Sequence, residues 1–249
     1  MGEELAGRRI VVTGAGSGIG LATARLAASR GALVIGVARS DAGLRAIEAA
    51  GAGAVRADMT SATDRAALIA AAPGVDGLVV AHGETQGRRI EDVTDEEWDR
   101  LIDANLRSVF FLLQAFAPRI PDGGAIVTVS SVAAKTGAIP EVTVYAAAKA
   151  GVLSLTRSFA SAHAARGMRV NAVVPGIIET PMQERFLALN APLRGLTTEA
   201  LNAERVGALP MRRAGAPDEA AEAICFLLSD RASYLTGQSL NLTGGSVTW

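Results

Sequence analysis

TGAGSGIG, residues 13–20, stands between a short apolar run, RIVVT (9–13), and an Ala/Leu-rich segment at about 18–30. This pattern predicts a strand, a glycine turn and a helix. Glycines in such a turn let the backbone approach a ligand closely, and the N-terminus of the helix presents free N–H groups and a partial positive charge. The spacing is G-x-x-x-G-x-G, and the lysine of a P-loop is absent. The turn therefore predicts a diphosphate site, with a glycine turn needed only for packing as the alternative.

Apolar runs of strand length recur along the chain and alternate with segments of helical pattern. Because the runs are apolar throughout, they fit strands buried on both faces, as in a parallel sheet covered by helices. We therefore expect an α/β fold: one Rossmann-type domain over residues 1–249, with a doubly wound parallel sheet of about seven strands and helices on both faces. Residues 179–210 interrupt the alternation and predict a substrate lid. The expected strands lie at 9–13, 33–38, 54–57, 77–81, 125–131, 168–176 and 239–245.

The composition excludes several classes of protein. The chain has 249 residues, a single cysteine (Cys225), two histidines (His82 and His163) and a formal net charge of −1. It can form no intrachain disulfide, has no His/Cys cluster spaced for zinc, and lacks the basic stripe of a nucleic-acid-binding protein. No apolar run approaches the ~20 residues that span a membrane. We expect a cytoplasmic protein that needs no metal, nucleic acid or membrane.

The end of the second expected strand bears on the type of nucleotide bound. An acidic residue there would bind the hydroxyls of an adenosine ribose, but this chain has Ala38 followed by Arg39. A guanidinium can pair instead with a 2′-phosphate, so Arg39 favours NADP(H) as the cofactor. NAD(H) stays the alternative, because Arg39 could equally be a solvated surface residue. Asp58, just after the third strand, is placed to hydrogen-bond the adenine, with an N-cap-like turn residue as the alternative.

The stretch VYAAAKAG, residues 144–151, places one phenol and one amine four positions apart. On a helix, which the alanines favour, Tyr145 and Lys149 lie on the same face. A nearby ammonium favours the phenolate, and a free phenol has a pKa of about 10, too high for a good base at neutral pH. Taken alone, this spacing is more typical of an ordinary surface pair with a half-buried tyrosine.

The motifs occur in an order that resembles the short-chain dehydrogenase/reductase family, in particular its compact branch and the 3-oxoacyl-ACP reductases. The resemblance covers nearly the whole chain, from Arg9 to about Gly245. It implies an oxidoreductase that transfers a hydride between NADP(H) or NAD(H) and a secondary alcohol or ketone. The ordered motifs are TGAGSGIG, Asp58, Asn105, Ser130-Ser131, the Tyr145–Lys149 pair, Pro175-Gly176, Thr180 and TGQSLNLTGG.

The resemblance also implies a role for each candidate site residue. Tyr145 would act as the acid/base, Lys149 would also bind the nicotinamide ribose, and Ser131 would hold the substrate oxygen. Asn105 would hold a water in a proton relay to the lysine. The expected cofactor contacts are Gly14, Ser17, Gly18, Ile19, Gly20, Arg39, Asp58, Met59, Ala81, Gly83, Tyr145, Lys149, Pro175, Gly176, Ile178 and Thr180.

The substrate pocket is expected to be apolar, with Glu141 and Arg185 as polar anchors unless both are simply solvated. The substrate class stays open among a 3-oxoacyl thioester, a cyclic ketone and a sugar-derived polyol. The expected lining is Val132, Ile139, Val142, Met182 and Phe186.

One departure from the family pattern follows the fourth strand. The family usually has Asn-Asn-Ala-Gly where this chain has Val80-Ala81-His82-Gly83. The asparagine that braces the sheet is therefore replaced by Ala81, and we interpret His82 as a structural residue rather than an acid–base group.

The family resemblance further implies a homotetramer that acts on a small-molecule substrate. Two other functions are weighed against this one. A non-catalytic NAD(P)-binding redox sensor would have no need of Ser131, Tyr145 and Lys149 together. A lyase or epimerase of this type would carry a larger substrate domain than this chain has room for.

Overall fold

The computed structural model describes residues 4–137 and 139–249, and within them the chain forms one parallel sheet of seven strands. In chain order the strands are β1 (Arg9–Thr13), β2 (Leu33–Ala38), β3 (Gly53–Arg56), β4 (Gly77–Val80), β5 (Ala125–Val129), β6 (Arg169–Pro175) and β7 (Ser239–Leu242). Their order across the sheet is β3-β2-β1-β4-β5-β6-β7, and every neighbouring pair is parallel. This arrangement confirms the predicted α/β fold.

Helices connect the strands and cover the sheet. They are α1 (Gly18–Ser29), α2 (Asp41–Ala49), α3 (Ala62–Ala71), α4 (Asp95–Ile102), α5 (Ser108–Phe116), α6 (Ala133–Thr136), α7 (Thr143–His163), α8 (Pro181–Asn190), α9 (Thr198–Gly207) and α10 (Pro217–Leu228). Within the described residues, no helix has both the length and the apolar character needed to cross a membrane. Nor does this part of the chain bring three or more His, Cys, Asp or Glu residues together in a way that could hold a metal ion.

The two largest parts of the core are apolar layers, one on each face of the sheet. Side chains alternate along a strand, so Val12 of β1 packs into one layer and Val11 into the other. The first layer includes Ile224 of α10, and the second includes Leu112 of α5 and Val152 of α7. Because both faces are covered, the strands can be apolar throughout, which is the pattern that predicted them.

The order of the strands determines where a ligand can bind. The chain crosses from β1 outward to β2 and β3, then returns to pair β4 with the other side of β1. In sheets of this type the crevice lies beyond the carboxyl ends of the strands where the winding direction changes. That position is occupied by the Gly14–Gly20 turn after β1 and by Ala81–Gly83 after β4.

Thr94, followed by Glu97 three residues on, has the sequence pattern of a capping box and predicts a long helix from there towards Pro118. In the structure this helix is interrupted. Thr94 caps α4, accepting a hydrogen bond from the Glu97 amide at 3.3 Å, but residues Asp103–Arg107 form a π-helical turn before α5 begins. Such turns widen a helix locally and are frequent at functional sites. This turn contains Asn105, and so it bears on the candidate site.

Candidate active site

The glycine turn after β1 has backbone angles and close contacts that a residue with a Cβ could not adopt without moving its neighbours. Gly14 has φ +69° and Gly18 has φ +52°, the left-handed region that favours glycine. A Cβ on Gly14 would lie 2.7 Å from the His82 backbone, and one on Gly20 would lie 2.2 Å from the Gly14 carbonyl oxygen. The turn is therefore packed directly against the segment that follows β4.

Helix α1 begins at this turn with its first N–H groups uncapped. The N-cap residue, Ser17, makes no side-chain capping bond, and the first turn of the helix contains no acidic residue. Four helical N–H groups lack an intrahelical partner at every helix N-terminus, and the helix dipole places a partial positive charge there. The turn and helix together fit the diphosphate of a dinucleotide.

One cleft of about 630 Å³ is lined by nearly all the site residues that the sequence predicted. Its lining contains every expected cofactor contact, every expected pocket residue, and Ser131, Tyr145 and Lys149. Asn105 lies behind this surface, fully buried, while its neighbour Ala104 reaches the lining. The cleft thus runs from the glycine turn, past the Tyr145–Lys149 pair, to α8 and α9.

Tyr145 and Lys149 lie side by side on α7, as four-residue spacing on a helix requires. The Lys149 Nζ is 5.8 Å from the centre of the Tyr145 ring and donates a hydrogen bond to the Val129 carbonyl oxygen at 2.9 Å. Burial lowers the pKa of Lys149 to about 8. Burial raises the pKa of Tyr145, and a hydrogen bond with Ser131 opposes that rise. In this arrangement the phenol keeps its proton at neutral pH.

Asn105 is held by backbone atoms on both sides. Its Oδ1 accepts a hydrogen bond from the Glu84 amide at 3.1 Å, and its Nδ2 donates to the Glu84 and Leu101 carbonyl oxygens at 3.1 and 3.0 Å. A Cβ on Gly83 would lie 2.5 Å from the Asn105 Oδ1 and 3.3 Å from the Lys149 Nζ. Because Gly83 has no Cβ, it fits between the side-chain amide of Asn105 and the ammonium of Lys149.

His82 connects two elements that meet beneath the cleft. Its Nδ1 lies 2.8 Å from the Thr13 Oγ1 at the end of β1, and its Nε2 lies 2.8 Å from the Ser108 Oγ at the start of α5. Burial, followed by the charge of Lys149, lowers the pKa of His82 to about 3. His82 is therefore a neutral, hydrogen-bonded ring, which fits the structural role expected from the sequence.

Arg39 and Asp58 meet at the far end of the cleft from Tyr145. An Arg39 Nη1 lies 3.3 Å from an Asp58 carboxylate oxygen, and the arginine side chain is 61% exposed. Burial raises the pKa of Asp58, but hydrogen bonds from Thr60 and Arg39 outweigh it, so the net pKa is lowered. A charged guanidinium and a carboxylate are thus both present where the adenosine half of a dinucleotide would lie.

The polar anchors suggested for the substrate pocket lie elsewhere. Glu141 pairs with Arg194 through two contacts of 3.1 Å, and neither it nor the exposed Arg185 lines the cleft. The lining contains a different cation, Arg205 of α9, whose guanidinium lies 4.0 Å from the centre of the Phe186 ring. Nothing in the sequence around Arg205 distinguishes it from the exposed charges of an amphipathic helix, so sequence reasoning missed it.

Comparisons with known proteins find relatives that match this chain over almost its whole length. A protein-family model described as Enoyl-(Acyl carrier protein) reductase matches residues 14–247. A 3-oxoacyl-[acyl-carrier-protein] reductase FabG from Thermotoga maritima is 38% identical, covering 98% of this chain and 99% of the relative. A cis-4-hydroxycyclohexanecarboxylate dehydrogenase from Sinomonas cyclohexanicum is 41% identical, covering 98% of both chains.

Solved structures give the same result. A short chain dehydrogenase/reductase family protein superposes with a TM-score of 0.83 at 37% identity, covering 97% of this chain and 98% of the other. The ligand-free aldohexose dehydrogenase of Thermoplasma acidophilum superposes with a TM-score of 0.87 at 30% identity, covering 100% of this chain and 99% of the other.

Proposed function

The chain belongs to the short-chain dehydrogenase/reductase family, and we propose that it reduces a ketone to a secondary alcohol with NADPH. Membership of this family makes the protein an oxidoreductase that acts on CH–OH or ketone groups. The direction of the reaction, the preferred cofactor and the roles of individual residues are parts of the proposal.

The observation that carries the proposal is that Ser131, Tyr145 and Lys149 line one cleft together with the glycine turn. Burial raises the pKa of the Tyr145 phenol, so the hydroxyl keeps its proton at neutral pH. A phenol can donate that proton to a substrate carbonyl oxygen, which is the step that reduction requires. Ser131, which lines the same cleft, would donate a second hydrogen bond to that oxygen.

A reduced nicotinamide cofactor, when bound, supplies the hydride. The uncapped N-terminus of α1 and the glycine turn would hold its diphosphate. Lys149, with one hydrogen bond to the Val129 carbonyl, keeps two further N–H donors for a ribose. Arg39 supports NADPH over NADH, because its exposed guanidinium can pair with a 2′-phosphate.

The relatives support two substrate classes. A 3-oxoacyl thioester is suggested by the FabG relative, and a ring ketone or alcohol by the hydroxycyclohexanecarboxylate dehydrogenase. The expected pocket residues support a substrate with an apolar body, since all of them line the cleft near Tyr145. The substrate lid at about 179–210 and the homotetramer stay predictions. A gel-filtration mass equal to one chain would contradict the homotetramer.

The experiment is a cofactor titration followed by turnover with a panel of ketones. NADPH and NADH are titrated separately, and absorbance of the reduced nicotinamide is then followed with cyclohexanone, 4-oxocyclohexanecarboxylate, a 3-oxoacyl thioester and an aldohexose. Tyr145→Phe should lower turnover by about 10²- to 10⁴-fold and keep cofactor affinity within a few-fold. The matched control is Tyr234→Phe, because Tyr234 is fully exposed and lies outside the cleft.

The outcomes separate the candidate functions. Turnover that Tyr145→Phe loses and Tyr234→Phe keeps would support the proposal. Tight cofactor binding without turnover of any ketone would favour the redox sensor instead. Failure to bind either cofactor would contradict the interpretation of the glycine turn.

A further inference from the structure

The lid end of the cleft, formed by Met182, Gln183, Phe186 and Arg205, contains a cation without a counterion. Among the described residues, the Arg205 side chain makes no ion pair, and its Nη1 is buried without a hydrogen-bond acceptor. The Arg205 Cζ lies 4.0 Å from the centre of the Phe186 ring. Phe186 and Tyr145 belong to the same apolar cluster, so the cation and the phenol share one pocket.

The acids that line the cleft are paired elsewhere. Asp58 is bound to Arg39, and Glu84 is bound to Arg100 with Arg39 at 3.9 Å. Both lie towards the adenosine half of the cleft. The charged neighbour that does act on Arg205 is another cation, Arg194, which is already paired with Glu141, so within the described residues no ion pair balances the charge of Arg205.

A second donor at the lid end also lacks a partner. The Gln183 Nε2 is buried and has no acceptor among the described residues. Buried donors are almost always hydrogen-bonded, and leaving one unpaired is unfavourable, more so when it is charged. Two unpaired donors in one pocket therefore indicate a ligand that brings acceptor oxygens.

We infer that the substrate carries a carboxylate, which Arg205 binds at the lid end while Tyr145 faces the keto group; this inference rests on the function proposed above. A guanidinium matches the two oxygens of a carboxylate in a bidentate pair. A single cation balances the single charge of a carboxylate, whereas a phosphate dianion would leave one negative charge buried. Pairing would be strong there because the donors are shielded from water.

The test compares keto acids with their methyl esters, which differ in charge but hardly in shape. The probes are 5-oxohexanoate and 4-oxocyclohexanecarboxylate, each beside its ester, with NADPH as the reductant. Wild type should have a kcat/KM about 10- to 100-fold higher for the acid, the effect expected of hydrogen bonds to a charged group. Arg205→Met should remove this preference, so that the acid and its ester are used with similar kcat/KM.

Two further variants make the result specific. Arg205→Lys keeps the charge but not the bidentate geometry, and it should retain part of the preference for the acid. Arg185→Met is the matched control, since Arg185 lies on the same lid but is exposed and outside the cleft. It should keep the wild-type preference. NADPH binding by each variant verifies that it is folded.

Three results would overturn the inference. The first is equal use of acid and ester by the wild type, and the second is a preference for the acid that persists in Arg205→Met. The third is a better rate with 5-oxohexyl phosphate than with 5-oxohexanoate, lost in Arg205→Met, which would replace the carboxylate with a phosphate. In each case Tyr145-dependent reduction of the esters would leave the proposed function standing, whereas no reduction of any probe would remove both.

Discussion

The pH dependence of stability tests whether His82 is neutral in the folded protein. The ring lies between the Thr13 and Ser108 hydroxyls, with 2.8 Å to each, and burial together with the Lys149 charge keeps it neutral. In the unfolded chain the same ring has an ordinary pKa of about 6.5. Acid therefore stabilises the unfolded state relative to the folded state through this residue. We predict that replacing His82 with glutamine, which does not titrate, removes that pH dependence.

The size of the effect follows from the two pKa values. The folded-state pKa of about 3 lies below the ordinary value of 6.5, so the penalty appears as pH falls through 6.5 and is complete only below 3. At pH 5 most unfolded chains carry the proton and almost no folded ones do, which lowers the free energy of unfolding by about 2 kcal/mol relative to pH 7. Any folded-state pKa of about 4 or lower gives nearly the same value at pH 5, since the unfolded chain then dominates the difference.

The assay is urea unfolding at pH 7 and pH 5, at one protein concentration, followed by tryptophan fluorescence. The wild type should lose about 2 kcal/mol more than His82→Gln between the two pH values, because contributions from all other groups cancel in the comparison. The same substitution at the other histidine, His163→Gln, is measured beside it. Equal pH dependence in wild type and His82→Gln would refute the reasoning. It would mean that the ring takes up its proton between pH 7 and pH 5 in the folded protein as it does in the unfolded chain.

Three further predictions concern other parts of the molecule. Gly83→Ala should lower the free energy of unfolding by about 1–3 kcal/mol in urea titrations, since its Cβ would lie 2.5 Å from the Asn105 Oδ1; an unchanged value would contradict the close approach. Arg39→Ala should raise the Kd for NADPH by about 10-fold or more and leave that for NADH nearly unchanged, as measured by fluorescence titration. Phe116→Ala should cost about 3–5 kcal/mol of unfolding free energy because the ring is fully buried, whereas the partly exposed Phe111→Ala should cost much less.

Much of the fold was predictable because its signals are local. Apolar runs of strand length predicted the strands, since a sheet covered on both faces needs apolar side chains in both directions. The glycine turn was predictable for a similar reason, because positive φ values and close approach restrict which residues can stand there. The placement of Tyr145 and Lys149 on one helix face followed from their spacing alone.

The π-helical turn at Asp103–Arg107 could not be predicted from local sequence patterns. The sequence there predicted a continuous helix, and an asparagine in mid-helix was the only irregularity. The extra residue in the turn is stabilised by contacts with the segment after β4, in which the Asn105 amide bonds to the Glu84 backbone 21 residues away. No periodicity within one helix encodes such a contact.

The sequence by itself determined the α/β fold, the glycine turn and the pairing of Tyr145 with Lys149, because backbone sterics and side-chain periodicity act over a few residues. Only the tertiary structure decided the state of the groups in the cleft. Burial raises the pKa of Tyr145 and lowers that of His82, and the environment of Arg205 depends on which acids have already been paired by other arginines. These properties depend on solvent exclusion and on charges brought together from distant parts of the chain, and they are set only when the chain has folded.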